Sequence, residues 1–136
     1  MSMPFEYTRA LRWGWEFLLE LRDSACITDA QRNEIEALLL VVPCARDLRE
    51  WTAPGGTNPL LRKIELDVED KGVSRSDVVE WIDRPPVSVD AYFEGIVRAA
   101  LFFKSLRGLE SLGEKYTRQI PYVLRHWPLH MQWEWG

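Results

Sequence analysis

Apolar residues recur at helical spacing over most of the chain. Between residues 6 and 22, Leu11, Trp15, Leu18 and Arg22 fall on one side, and Tyr7, Gly14 and Leu21 widen it. Steps of three and four follow the turn of an α-helix, so this segment is expected to be a helix with one buried face. Asp23 and Ser24 close it. Thr28-Asp29-Ala30-Gln31 then has the form of a capping box, in which a hydroxyl and a side-chain amide satisfy the free N–H groups of a new helix. That helix turns Ile35, Leu38, Leu39 and Val42 inward and is expected to stop at Pro43, which lacks an amide donor and crowds the preceding turn. Residues 44 to 51 add a short helix carrying Leu48 and Trp51.

The middle of the chain is less regular. Thr52-Ala53-Pro54-Gly55-Gly56-Thr57 is a loop, and Asn58-Pro59 has the form of an N-cap followed by a first-turn proline. Leu60, Leu61, Ile64 and Val68 fit a helix, whereas Ile64, Leu66 and Val68 alternating with Glu65, Asp67 and Glu69 fit a strand. Helix is the preferred alternative. Gly72 ends this segment, Ser76 can cap a short helix with Val78, Val79 and Ile82, and Pro85-Pro86 interrupts the chain again.

Ser88 opens the longest expected helix, to about Arg107, with Val89, Phe93, Ile96, Ala100 and Phe103 as its stripe and Gly108 as its stop. A last helix is expected from about Ser111 to Trp127 with Tyr116, Ile120, Val123 and Leu124 inward. Pro121 should kink it or move its start, and Pro128 ends it. The fold class expected is therefore all-α, a compact bundle of five to seven helices in one domain spanning 1–136.

Composition narrows the class. Of 136 residues, 46% are apolar and 28% charged, which is ordinary globular usage and argues against disorder. There is no apolar run of membrane-spanning length, and the opening Met1-Ser2-Met3-Pro4-Phe5-Glu6 lacks the basic-then-apolar form of a signal peptide, so a cytoplasmic location is expected. Cys26 and Cys44 are then expected to be free thiols. The net charge of −4 and the lack of a basic run disfavour nucleic acid as a partner, because such binding rests on neutralising phosphates. Seven tryptophans are many for this length, and Trp is favoured both in cores and in interface hot spots.

Offsetting the chain by 85 residues aligns 8–51 with 93–136 without a gap. Phe17 meets Phe102, Leu21 meets Leu106, Arg22 meets Arg107, Ile35 meets Ile120, Leu39 meets Leu124 and Pro43 meets Pro128. Four of these are apolar stripe positions and one is a helix-ending proline, which suggests two related helix hairpins separated by a helical insertion, 52–87. The same ends carry a resemblance. Met3-Pro4-Phe5-Glu6-Tyr7-Thr8-Arg9-Ala10, then Leu38-Leu39-Leu40-Val41-Val42-Pro43, is similar to a family of short uncharacterised proteobacterial proteins that open M-P-x-E-R-T-R-A and continue to a leucine-rich helix ending in proline. Val123-Leu124-Arg125-His126-Trp127-Pro128 resembles that family's L-R-H-x-P ending. Tyr7 stands where the family has arginine, and the first half lacks the Arg-His pair. The resemblance implies a helical fold and a bacterial origin, and no activity.

Candidate chemistry is sparse. His126 and His130 are four apart, but Pro128 lies between them and no third ligand is near in sequence, so no metal and no cofactor are expected. Gly55-Gly56 is not followed by a phosphate-binding lysine, and no nucleophile elbow occurs. Lys71 to Ile82 can be set out as a helix-turn-helix, yet its second helix offers Asp77, Glu80 and Asp83 against only Arg75 and Arg84. The acidic run Glu65, Asp67, Glu69 and Asp70 is either a solvated face or a surface for a basic partner. Trp15, Trp51 and Trp81 are expected in or at the core. Trp133 and Trp135, with Met131, either complete the core or present aromatic anchors.

The reading that results is a non-enzymatic domain that binds another protein, most concretely a small bacterial inhibitor such as an immunity or anti-defence protein. Trp133, Trp135, Met131, Glu65, Asp67, Glu69 and Asp70 are its candidate contacts. The alternative is a DNA-associated regulator using 60–84, marked by a basic stripe over Arg75 and Arg84; an enzyme would show a deep polar pocket with converging titratable groups.

Overall fold

The computed structural model describes residues 4–53, 55–59 and 84–128. Within them the chain is all-α, a compact bundle with no strand. Helix α1 spans Pro4–Arg22, α2 Asp29–Leu39, α3 Ala45–Thr52 and α4 Val89–Ser105; after a 3-10 turn at Glu110–Leu112 come α5, Glu114–Thr117, and α6, Gln119–Arg125. The segment read as either helix or strand, 60–70, and the would-be helix-turn-helix up to residue 83 lie outside the described residues, as does the tail from 129. No helix among the described residues is long and apolar enough to cross a membrane.

Local chemistry sets the boundaries. The Thr28 hydroxyl accepts from Gln31 N–H at 3.1 Å while Thr28 N–H donates to the Gln31 side chain at 2.8 Å, so the capping box is complete. The Ser88 hydroxyl starts α4 by accepting from Ala91 N–H. Gly108, at φ 79°, takes the left-handed turn that ends the region after α4. Helix α2 stops at Leu39, earlier than the proline at 43 requires. Val41 and Val42 N–H both return to Leu38 O, and the chain then leaves the helix, because the residue before a proline avoids the helical conformation. The expected helix 111–127 is instead three short pieces. Pro121 sits in the first turn of α6, where its missing N–H has no intrahelical partner to lose, so the proline moves the helix start.

The stripes converge on one core. Leu11, Trp15, Leu18 and Leu21 of α1, Ile35, Leu38 and Leu39 of α2 with Val42 beyond it, Ile96 and Phe103 of α4, and Ile120 and Val123 of α6 are all fully buried. Phe17 and Phe102 are both buried in this core as well. Two members of the expected α4 stripe depart from it: Val89, in the first turn, is exposed, and Phe93 is half-buried against the core. Trp127 is buried among these side chains, donates its indole N–H to Ile96 O at 3.0 Å and meets Phe103 edge-on.

Helix α1 packs on α2, α3 and α6, and α4 packs on α2 and α6. Each long helix therefore touches both its own following helix and that of the other half. Cross-contacts recur at the 85-residue offset. Trp13 donates to Gln119 at 3.1 Å; the residues at that offset from these two are Arg98 and Glu34, and they form a two-bond ion pair at 2.6 and 2.7 Å. Two glycines also allow close approaches, though not at matching positions. A Cβ on Gly14 would lie 2.4 Å from the Trp127 ring, and a Cβ on Gly95 would lie 2.7 Å from Val41.

Candidate functional site

A surface cleft among the described residues grows from the junction of α1 and α6. Because Leu11, Trp15 and Leu18 face the core, residues 6, 9 and 13, three and four apart, follow one flank of α1 beside α6. Glu6, Arg9, Ala10 and Trp13 form one wall of an open cleft; Tyr122, Arg125 and His126 form the other, and its volume is about 210 Å³. Ala10 is the small buried residue at the base.

Two aromatic rings dominate the cleft. Trp13 is 37% exposed and Tyr122 60%, and their planes lie 9° apart with centroids 6.2 Å apart. The bond from the Trp13 indole to Gln119 holds the larger ring in place. The Arg9 guanidinium lies over the Phe5 ring, 5.2 Å from its centroid, which extends the aromatic surface towards the start of α1. Glu6 Oε2 approaches His126 Nε2 to 3.2 Å, joining the first turn of α1 to the end of α6. Arg125 is exposed at the mouth.

The junction of α4 with the residues after α2 is tightly packed. At the 85-residue offset Ala10 corresponds to Gly95 and His126 to Val41. Gly95 lets Val41 sit so close that a Cβ there would overlap it. The α4 junction is thus filled by an aliphatic side chain, whereas the α1–α6 junction is open and lined by rings and guanidinium groups.

A second polar cluster is internal. Asp47 Oδ2 accepts from Arg84 Nη2 at 2.7 Å, from the Tyr92 hydroxyl at 3.0 Å and from Cys44 N–H at 3.2 Å. Arg84 also donates to Leu39 O and Val42 O at 2.8 and 2.9 Å, which satisfies carbonyls left open at the end of α2. Its guanidinium lies near the rings of Trp15 and Tyr92. Burial, followed by the Asp47 charge and its hydrogen bond, pushes the Tyr92 hydroxyl up to about 12. Burial also raises the Cys44 thiol. A raised thiol is a weaker nucleophile at neutral pH, and the contacts of this cluster tie α2, α3 and α4 to the chain at Arg84. Arg84 is therefore spent inside the protein, which removes one of the two cations that the DNA-binding alternative relies on.

Of the residues singled out from sequence, Trp133, Trp135, Met131, Glu65, Asp67, Glu69 and Asp70, together with His130 and Trp81, lie outside the described residues. Trp15 is buried and Trp51 is half-buried against Tyr92. Cys26 is exposed, Cys44 is buried and both are free. Among the described residues no three His, Cys, Asp or Glu side chains gather as a metal-holding group. The cleft residues Trp13 and Tyr122 were not singled out by the sequence reading. Their signal was present: each is an aromatic residue on the polar side of its helix, Trp13 between Arg9 and Glu16, and Tyr122 between Arg118 and Arg125.

Fold and site together define an all-α bundle with an aromatic, arginine-bearing cleft between its first helix and the last of the described helices. No protein-family model, curated protein or solved structure matches the chain.

Proposed function

We propose that this chain is a non-catalytic domain that binds another protein through the face shared by α1 and α6. The observation that carries the proposal is the exposure of Trp13 and Tyr122 side by side, with Arg9 and Arg125 lining the same cleft. Trp, Tyr and Arg are the residue types that dominate interface hot spots. An exposed aromatic pair held in one orientation loses little conformational freedom on binding.

The Glu6–His126 pair has the composition of an acid–base couple. Among the described residues the rest of the lining offers no serine, cysteine, threonine or lysine beside it, which favours binding over covalent chemistry. A role as a small bacterial inhibitor, of the immunity or anti-defence kind, is the concrete form of this proposal. It fits a small acidic chain whose surface aromatics face outward.

Tyr122→Ala tests the proposal. The side chain is 60% exposed, so its loss should leave the unfolding midpoint nearly unchanged. A protein retained from native-host extract by the immobilised wild type should be lost with Tyr122→Ala and kept with the control Leu101→Ala, which alters an exposed residue of α4. Equal retention by all three would overturn the proposal.

A further inference from the structure

We infer that the partner presents an acidic segment to the α1–α6 cleft, with a carboxylate set beside an apolar or aromatic side chain. The inference rests on the protein-binding proposal above and names the chemistry of its partner. Size comes first. About 210 Å³ is smaller than the usual pocket for a drug-sized molecule, roughly 300–1,000 Å³, and it suits one or two side chains entering from a protein surface.

Charge comes second. Two arginines, Arg9 on one wall and Arg125 on the other, line the cleft with one carboxylate, Glu6, and Arg125 is exposed there. The local excess is positive although the chain carries −4 overall. A carboxylate meeting Arg125 can form two parallel charge-assisted bonds, the geometry arginine favours.

Shape comes third. Ala10 at the base, with the faces of Trp13 and Tyr122 on opposite walls, gives an apolar floor beside the cations. Elsewhere in the bundle Val41 packs directly on Gly95, so helix junctions in this fold can be filled and the α1–α6 junction is left open. A segment bearing Asp or Glu next to Phe, Leu or Trp satisfies both halves of the cleft at once.

The test uses ¹⁵N-labelled full-length protein and a synthetic peptide with the core Asp-Phe-Asp between Gly-Ser flanks, alongside a Lys-Phe-Lys peptide of equal length. The acidic peptide should give saturable shifts at the Trp13 indole and at the backbone of residues 122–126, and the basic peptide none. Arg125→Glu, at an exposed position, should weaken the acidic peptide at least tenfold while the unbound spectrum stays folded. The inference is overturned if the acidic peptide gives no shifts in millimolar excess, if both peptides act alike, or if Arg125→Glu binds unchanged. It is also overturned if single-stranded DNA of matched charge gives the same shifts with equal affinity, since the cleft would then read charge alone. Capture of a protein that depends on Tyr122 but is unaffected by Arg125→Glu would leave the protein-binding proposal standing and end the acidic-segment inference.

Discussion

Single residues do sharply different work in this fold, and Asp47 carries more than its place in a short polar helix suggests. One oxygen receives Arg84, Tyr92 and the N–H that opens α3, and the Arg84 side chain is only 8% exposed. Removing the carboxylate strands that guanidinium in a poor environment. Asp47→Ala is expected to cost about 3–5 kcal/mol, measured by urea unfolding, against well under that for Glu50→Ala, whose partner Arg46 is exposed. Tyr92 gives the same cluster a pH signature. Its folded pKa, about 12, lies above the ordinary value of 10.0, so the folded state keeps a proton that the unfolded state gives up. Stability from this group is complete below pH 10 and falls as pH rises towards 12. Tyr92→Phe should flatten that alkaline fall. Buried Cys44, its thiol also raised, should react with a disulfide reagent only on unfolding, while exposed Cys26 reacts at once. Two fast thiols in the folded protein would contradict the burial.

At the scale of elements, the long helices are held by what they lack. Gly14 lies in the middle of α1, where alanine would ordinarily add about 1 kcal/mol of helix propensity. Its missing Cβ is filled by the Trp127 ring, which is itself fixed by Ile96 and Phe103. Gly14→Ala should therefore destabilise, by roughly 1–3 kcal/mol in thermal or urea unfolding, because a buried indole has nowhere to move. A gain in stability would show that α1 and the end of α6 are not in close contact. Much of this level was legible beforehand. Thr28 and Gln31 announced α2, Ser88 announced α4, and Pro121 announced a displaced helix start. The break at Gly113, where the backbone turns to φ 89°, was not legible, because Leu112 and Tyr116 keep helical spacing across it. Periodicity reports which face is buried and is blind to a single residue that leaves the helix.

For the whole molecule, the buried side was easier to read than the exposed side. Apolar stripes indicate the core because water penalises every exposed member of the stripe. A lone aromatic on a polar face has two causes, incidental exposure or contact with a partner, and only the pairing of Trp13 with Tyr122 across two helices separates them. That pairing spans most of the chain, so no local pattern could disclose it. The two halves are expected to be related by duplication, and the recurring pairs, Trp13 with Gln119 and Arg98 with Glu34, give that idea a concrete form. The difference between the halves then becomes the functional question. One junction is closed by Val41 on Gly95, and the other opens as the cleft.

The central claim is that this cleft is where the partner sits, and site-specific photo-crosslinking tests it most directly. A photoreactive phenylalanine analogue placed at Tyr122, inside the cleft, is compared with the same analogue at Leu101, which is 52% exposed on α4. Both sites accept an aromatic group without disturbing the core, and both variants are expressed in the native host. The account predicts one discrete protein adduct from position 122 and none from position 101. The same adduct from both positions, or an adduct from position 101 alone, would contradict it.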